Sequence, residues 1–97
     1  MTSFTDRYSE AAKDWVEADS SASLMEELKL SSLNQMIIHL NVEGEMTFAR
    51  REAIVRSSDK WQDYIKEMVQ KRTKANLLKI RLEVIRMQYN ETRSNHD

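Results

Sequence analysis

The chain has 97 residues and a net charge of −1, with no cysteine, no proline and a single glycine, Gly44, near its midpoint. A chain of fewer than about 150 residues predicts one domain, residues 1–97, and the lack of cysteine excludes disulfide frameworks, thiolate nucleophiles and cysteine-based zinc sites. The apolar runs fall far short of the roughly 20 residues of a membrane span, and the acidic first residues are unlike a signal peptide. We therefore expect a cytoplasmic protein without membrane contact.

The scarcity of glycine and proline also predicts the overall shape. These two residues are the main interruptions of helices, so their absence on both sides of Gly44 predicts two long helical arms joined at one hinge. The expected fold class is all-α, an antiparallel helical hairpin with a short connecting helix, and coiled-coil-like packing into an oligomeric bundle.

The charges of the two halves are opposed. Residues 1–46 contain nine acidic and three basic side chains, whereas residues 47–97 contain seven acidic and twelve basic ones. An antiparallel hairpin places the acidic arm against the basic arm and neutralises much of the charge internally. The alternative is an exposed stripe that contacts nucleic-acid phosphates, formed by Lys71, Arg72, Lys74, Lys79, Arg81 and Arg86.

The first arm, residues 1–40, is predicted to be helical from a cap at Ser3 or Thr5. Its apolar residues recur every three or four positions and form one stripe: Phe4, Tyr8, Ala11, Trp15, Ala18, Ala22 and Met25. The segment from Asp19 to Ser21 has low helix propensity and is where a kink or break is most expected. Beyond it the apolar residues cover more than one face, which predicts burial on several sides: Leu24, Leu28, Leu30, Leu33, Met36, Ile37 and Leu40.

The hinge is predicted at residues 41–46, because Asn41 and Gly44 can both adopt positive φ. Thr47 is suited to cap a short helix over residues 47–56, either set at an angle or continuous with the last helix. Three apolar side chains of this short helix are its candidate contacts to the tip of the hairpin: Phe48, Ile54 and Val55.

The last helix is predicted over residues 58–92, followed by a disordered tail at 93–97, and it has the clearest periodicity. One set of residues recurs with heptad spacing, interrupted by Lys71: Trp61, Met68, Ala75, Leu82 and Tyr89, with Tyr64, Leu78 and Ile85 between them. This pattern is typical of a coiled-coil seam.

A second apolar stripe lies on another side of the same helix: Val69, Leu77, Ile80, Val84 and Met87. One seam can pack on the first arm, so the second needs another surface. Leaving these side chains in water forgoes about 1.5–3 kcal/mol each. We therefore expect a homodimer or tetramer whose interface these five residues form.

The sequence contains no catalytic signature. The only histidines, His39 and His96, lack neighbouring groups suited to acid–base chemistry or metal binding, and no Walker loop, HExxH motif or nucleophile elbow occurs. We expect no enzymatic activity, no cofactor and no metal site.

Three stretches resemble a group of small bacteriophage helical-hairpin proteins. They are Gly44 to Ala53, which contains a Thr-x-Ala-x-x-Glu-Ala restart, Ser57 to Tyr64, and Ala75 to Met87. The chain departs from that group at Tyr89 and Asn90, where the group has a tryptophan–arginine pair. Such proteins are often encoded near recombination and replication genes, so the resemblance implies an accessory protein in a complex of phage recombination or host defence.

The favoured function is therefore a non-catalytic interaction or accessory module, whose charged faces or segment Phe48 to Arg56 meet an unidentified protein partner. The main alternative is a single-strand DNA-binding accessory factor that uses the basic stripe. Two further alternatives are an inhibitor of a host defence enzyme and a structural oligomer of a virion.

Overall fold

The computed structural model describes residues 3–95, in which the regular elements are four helices and no strand. The helices are α1 (Phe4–Glu27), α2 (Lys29–Ile38), α3 (Phe48–Arg56) and α4 (Asp59–Asn95). Helices α1 and α4 pack along each other, and α2 and α3 fold together at one end, which we call the tip. The molecule is a rod of 76 × 17 × 17 Å. The predicted all-α helical hairpin is confirmed.

Helix α1 begins at the predicted cap, where the Ser3 hydroxyl accepts a hydrogen bond from the backbone N–H of Asp6 at 3.1 Å. Its predicted apolar stripe faces inward, with Ala11 and Ala22 fully buried. The sequence left open whether the first arm breaks at Asp19 to Ser21, and α1 continues through these residues. The interruption lies at Leu28, between α1 and α2, and the backbone hydrogen bonds on either side of it persist.

Helix α4 buries the predicted heptad seam against α1. Trp61, Ala75 and Ile85 are buried, and the seam residues between them are half-buried, whereas Tyr89 stays exposed. Since alanine has no side chain beyond Cβ, the buried alanines of both helices allow close packing. Helix α4 extends through Asn95, so the tail predicted from residue 93 is helical as far as the structure describes it. His96 lies outside the described residues.

The connection between α2 and α3 contains the hinge. Gly44 has a φ of 79°, the left-handed region that only glycine adopts readily, whereas Asn41 does not take the positive φ expected for it. A side chain instead satisfies backbone carbonyls at the end of α2. The Arg51 guanidinium donates hydrogen bonds to the carbonyls of Ile37 and Leu40, each at 3.1 Å. The predicted cap Thr47 accepts from the backbone N–H of Arg50 at 3.2 Å and starts α3.

The tip has its own small core, formed by Leu33, Ile37, Val55 and Trp61. Tyr64 stacks on Trp61 and donates a hydrogen bond to the carbonyl of Met25 at 2.6 Å, so the end of α1 is tied to α4. Of the three apolar residues that we expected α3 to contribute, only Val55 is buried. Phe48 is 61% exposed, because it lies at the start of α3 and turns away from this core.

The expectation that residues 24–40 are buried on several sides is wrong for the single chain. Leu33 and Ile37 are buried, but four apolar residues of the same region are largely exposed: Leu24, Leu28, Leu30 and Ile38. The reason is geometric, since α3 and the start of α4 cover one face of α2 only. Within residues 3–95, no helix combines the length and the apolar composition that crossing a membrane requires.

Candidate interaction surfaces

An exposed apolar stripe runs along α4. It comprises the five residues of the second stripe, which we call the outer seam: Val69, Leu77, Ile80, Val84 and Met87. Their exposed fractions range from 44% for Val84 to 61% for Leu77. Helix α4 thus exposes several large aliphatic side chains along one line.

The outer seam lies nearly opposite the face that α1 covers. Successive residues of an α-helix are about 100° apart, so Ile80 is turned by about 160° from Leu82 and about 140° from Ala75. Leu82 and Ala75 pack toward α1, which leaves Ile80 pointing away from it. The two stripes predicted from the sequence are therefore separate surfaces, and the first arm reaches one of them.

Arg72 connects the two arms more extensively than any other residue of the basic stripe. Its guanidinium donates hydrogen bonds to the Asp19 carboxylate at 2.7 Å, to the Glu26 carboxylate at 2.8 and 2.9 Å, and to the Ser23 hydroxyl at 3.1 Å. Asp19 and Glu26 are seven residues apart in α1, which places them on one face of that helix. Arg72 fits between them and is directed into the hairpin.

The charges of this cluster stabilise one another. The hydrogen bonds from the Arg72 guanidinium hold the pKa of the Glu26 carboxyl below its ordinary value. The hydrogen bonds with Glu26 and Asp19 raise the pKa of Arg72 further above its already high value. Both groups are charged at neutral pH, so they form an ion pair across the arms.

Three more residues of the basic stripe also face α1. Lys71 donates a hydrogen bond to the Ser21 hydroxyl at 2.8 Å, and Arg81 lies 3.6 Å from the Asp14 carboxylate. The Lys79 ammonium lies 5.9 Å from the centre of a ring of Trp15, at the outer range of a cation–π contact. Lys74 and Arg86 are exposed on α4. Much of the basic stripe therefore faces the acidic arm.

Three large apolar side chains of the tip are also exposed, namely Leu30, Ile38 and Phe48, with exposed fractions of 61% to 71%. The tip also has an open cavity of about 550 Å³, whose walls include Met36, Val55 and Lys60. The exposure of Leu30 and Ile38 could not be foreseen from the sequence, because their spacing fits a buried helix face equally well. Only the placement of α3 decides which face of α2 is covered.

The imidazole and carboxylate groups of the described residues do not gather into a metal site. Residues 3–95 contain no cluster of three or more histidine, aspartate or glutamate residues that could hold a metal ion. His39 is exposed at the end of α2 and lines the tip cavity beside Gln35 and Asn41.

The chain matches no protein-family model, no curated protein and no solved structure. The resemblance to small bacteriophage proteins, and the accessory roles that it implies, therefore remain predictions.

Proposed function

We propose that this protein is a non-catalytic interaction module that self-associates through the outer seam of α4. The observation that supports the proposal is the position of that seam: it is regular, apolar, exposed and turned away from α1. A helix with apolar residues on two opposite sides is characteristically packed between two neighbours. In the single chain, α4 has one such neighbour.

The energy available supports this proposal. Complete burial of a leucine, isoleucine, valine or methionine side chain contributes about 1.5–3 kcal/mol, and these side chains are about half exposed. Covering the five residues of the outer seam therefore contributes several kcal/mol per copy, against a typical domain stability of about 5–15 kcal/mol. Self-association protects a thin hairpin that has little core of its own.

Binding of another protein is the second part of the proposal, and the tip is its proposed location. Leu30, Ile38 and Phe48 are exposed apolar side chains of the tip, and they lie on α2 and α3 rather than on the helix that carries the outer seam. A module of this design joins its own copies along α4 and leaves the tip free for a larger protein. We do not extend the proposal to single-stranded DNA, because Lys71, Arg72 and Arg81 contact polar or acidic side chains of α1.

Replacing Ile80 with glutamate tests the self-association. Ile80 is exposed in the single chain, so Ile80→Glu leaves the hairpin folded but places a carboxylate in the middle of the proposed interface, where burying a charge is costly. Sedimentation velocity should give the wild type at least twice the chain mass of 11.5 kDa, and the variant the mass of one chain.

The matched control is Ser9→Glu, which introduces the same side chain at an exposed position of α1. It should keep the wild-type mass, and circular dichroism should show equal helix content in all three proteins. A monomeric wild type would refute the self-association. An Ile80→Glu variant with the wild-type mass would show that the interface lies elsewhere.

A further inference from the structure

The tip cavity is a groove that runs along one face of α2. Its volume is about 550 Å³, and the residues of α2 that line it recur every three or four positions from Leu28 onward. The facing wall comes from α3 and the start of α4, with Val55 and Lys60 among its residues. The volume lies within the range of about 300–1,000 Å³ that is usual for small-molecule sites.

Two serines account for the open space in the groove. Ser31 and Ser32 line it between the larger side chains of Leu28 and Met36, and a serine side chain ends one atom beyond Cβ. The apolar lining is only partly covered by the chain itself, since Leu28 is 47% exposed and Met36 is half-buried. Removing this apolar surface from water is favourable, so a ligand with an apolar body is stabilised here.

The dimensions of the groove favour a narrow occupant. With a rise of 1.5 Å per residue, the lining from Leu28 to His39 is about 16 Å long. The volume of about 550 Å³ over this length gives a cross-section of about 33 Å². An α-helix with its side chains is about 10–12 Å in diameter, which is a cross-section of about 80–110 Å². A single aliphatic chain therefore fits inside the groove, whereas a partner helix does not.

The charge of the groove favours an anion. Among the described residues that line it, Lys60 is the one lysine, and none is an arginine, aspartate or glutamate. The acidic neighbours of Lys60 in α4, Asp59 and Asp63, lie outside the lining. The ion pairs within 4 Å in residues 3–95 do not include Lys60. A carboxylate in the groove therefore meets an ammonium group and no acidic side chain of the lining.

We propose that the groove binds a small amphiphilic anion, a single aliphatic chain that ends in a carboxylate. The chain covers Met36 and Val55, and the carboxylate pairs with the Lys60 ammonium. Leu30 is about 160° around α2 from Ser32, so it stays uncovered when the groove is filled. The site is separate from the outer seam and does not depend on self-association.

Octanoate and octanol test the site, because they share one aliphatic chain and differ in charge. In two-dimensional NMR titrations of the ¹⁵N-labelled protein, both should shift the backbone amides of residues 28–41 and 55–60. Octanoate should bind about two- to fivefold more tightly than octanol, as expected for an exposed ion pair. This advantage should disappear in Lys60→Gln. It should persist in Lys66→Gln, which removes an exposed lysine of α4 outside the groove.

Filling the groove with a side chain is the second test. Ser32→Leu places an aliphatic side chain in the open space and should abolish the shifts caused by octanoate. The matched control is Asn34→Leu, which places the same side chain at an exposed position of α2 outside the groove and should leave those shifts intact. Circular dichroism should show equal helix content in both variants and the wild type.

Four results would overturn the proposal. The first is the absence of shifts at octanoate concentrations below its micelle formation, and the second is equally large shifts along the outer seam, which would mean adsorption to any exposed apolar surface. The third is wild-type binding by Ser32→Leu. The fourth is a helical peptide of leucine and glutamate that shifts the same amides at a lower concentration than octanoate, which would assign the groove to a protein.

Discussion

Arg72 of the basic arm forms ion pairs with Asp19 and Glu26 of the acidic arm. Its four hydrogen bonds join three side chains of α1, and the acidic partners Asp19 and Glu26 lie on opposite sides of the guanidinium. The opposition of charge between the arms was predictable from composition. The particular pairs were not, because they depend on the register of α1 against α4, and a slide of one helical turn would give Arg72 other neighbours.

The ion pair between Arg72 and Glu26 should make stability depend on pH in a defined direction. The folded-state pKa of Glu26 is lowered, so its contribution to stability is fully present above the ordinary glutamate pKa. It is lost as the pH falls through the lower folded-state pKa. In urea unfolding, Glu26→Gln should therefore be less stable than the wild type at pH 7, and the difference should shrink as the solution is acidified below pH about 4.

The control for that prediction is Glu27→Gln, which removes the neighbouring exposed carboxylate of α1. Its effect at pH 7 should be smaller than that of Glu26→Gln. If the two variants have equal stability at pH 7, or if the Glu26→Gln difference persists unchanged in acid, the ion pair with Arg72 does not contribute to folding.

Helix α4 was the most predictable helix of the molecule, whereas the continuity of α1 through Asp19 to Ser21 was not predictable. Heptad spacing identified both apolar stripes of α4, because packing against a straight neighbour requires that spacing. Local propensity suggested a break at Asp19 to Ser21, but the side chains of Asp19 and Ser21 bind Arg72 and Lys71. Tertiary contacts thus oppose the weak local preference for a break, and propensity alone does not register such contacts.

The close packing of α1 on α4 depends on buried alanines of both helices. Ala75 has no exposed surface, so Ala75→Leu forces a larger side chain between the helices. Such overpacking costs about 1–3 kcal/mol of unfolding free energy, measurable in urea. Ala53→Leu makes the same change on the exposed surface of α3 and should alter stability by less than about 0.5 kcal/mol. Equal effects at the two positions would show that the helices do not meet at Ala75.

For the whole molecule, the rod shape means that stability is distributed along its length. The tip core around Trp61 closes one end, whereas the other end holds only the start of α1 and the last turns of α4. A hairpin of two long arms was predictable from the position of Gly44. Which parts of α2 and α3 remain uncovered was not, since that depends on the angle at which the hinge returns the chain.

At the end of the rod away from the tip, α1 and α4 are held together by stacked aromatic rings. Removing this stacking should destabilise that end alone. The rings of Phe4 and Tyr89 lie 4.0 Å apart, with an interplanar angle of 23°. The free energy of local opening depends on the contacts near the amides that exchange. Phe4→Ala should therefore speed amide hydrogen exchange over residues 82–92 and leave exchange around Trp61 unchanged. Thr5→Ala, at an exposed neighbouring position, should change neither region. Faster exchange at both ends in Phe4→Ala would mean that the rod opens as one cooperative unit, and the tip would then have no independent stability.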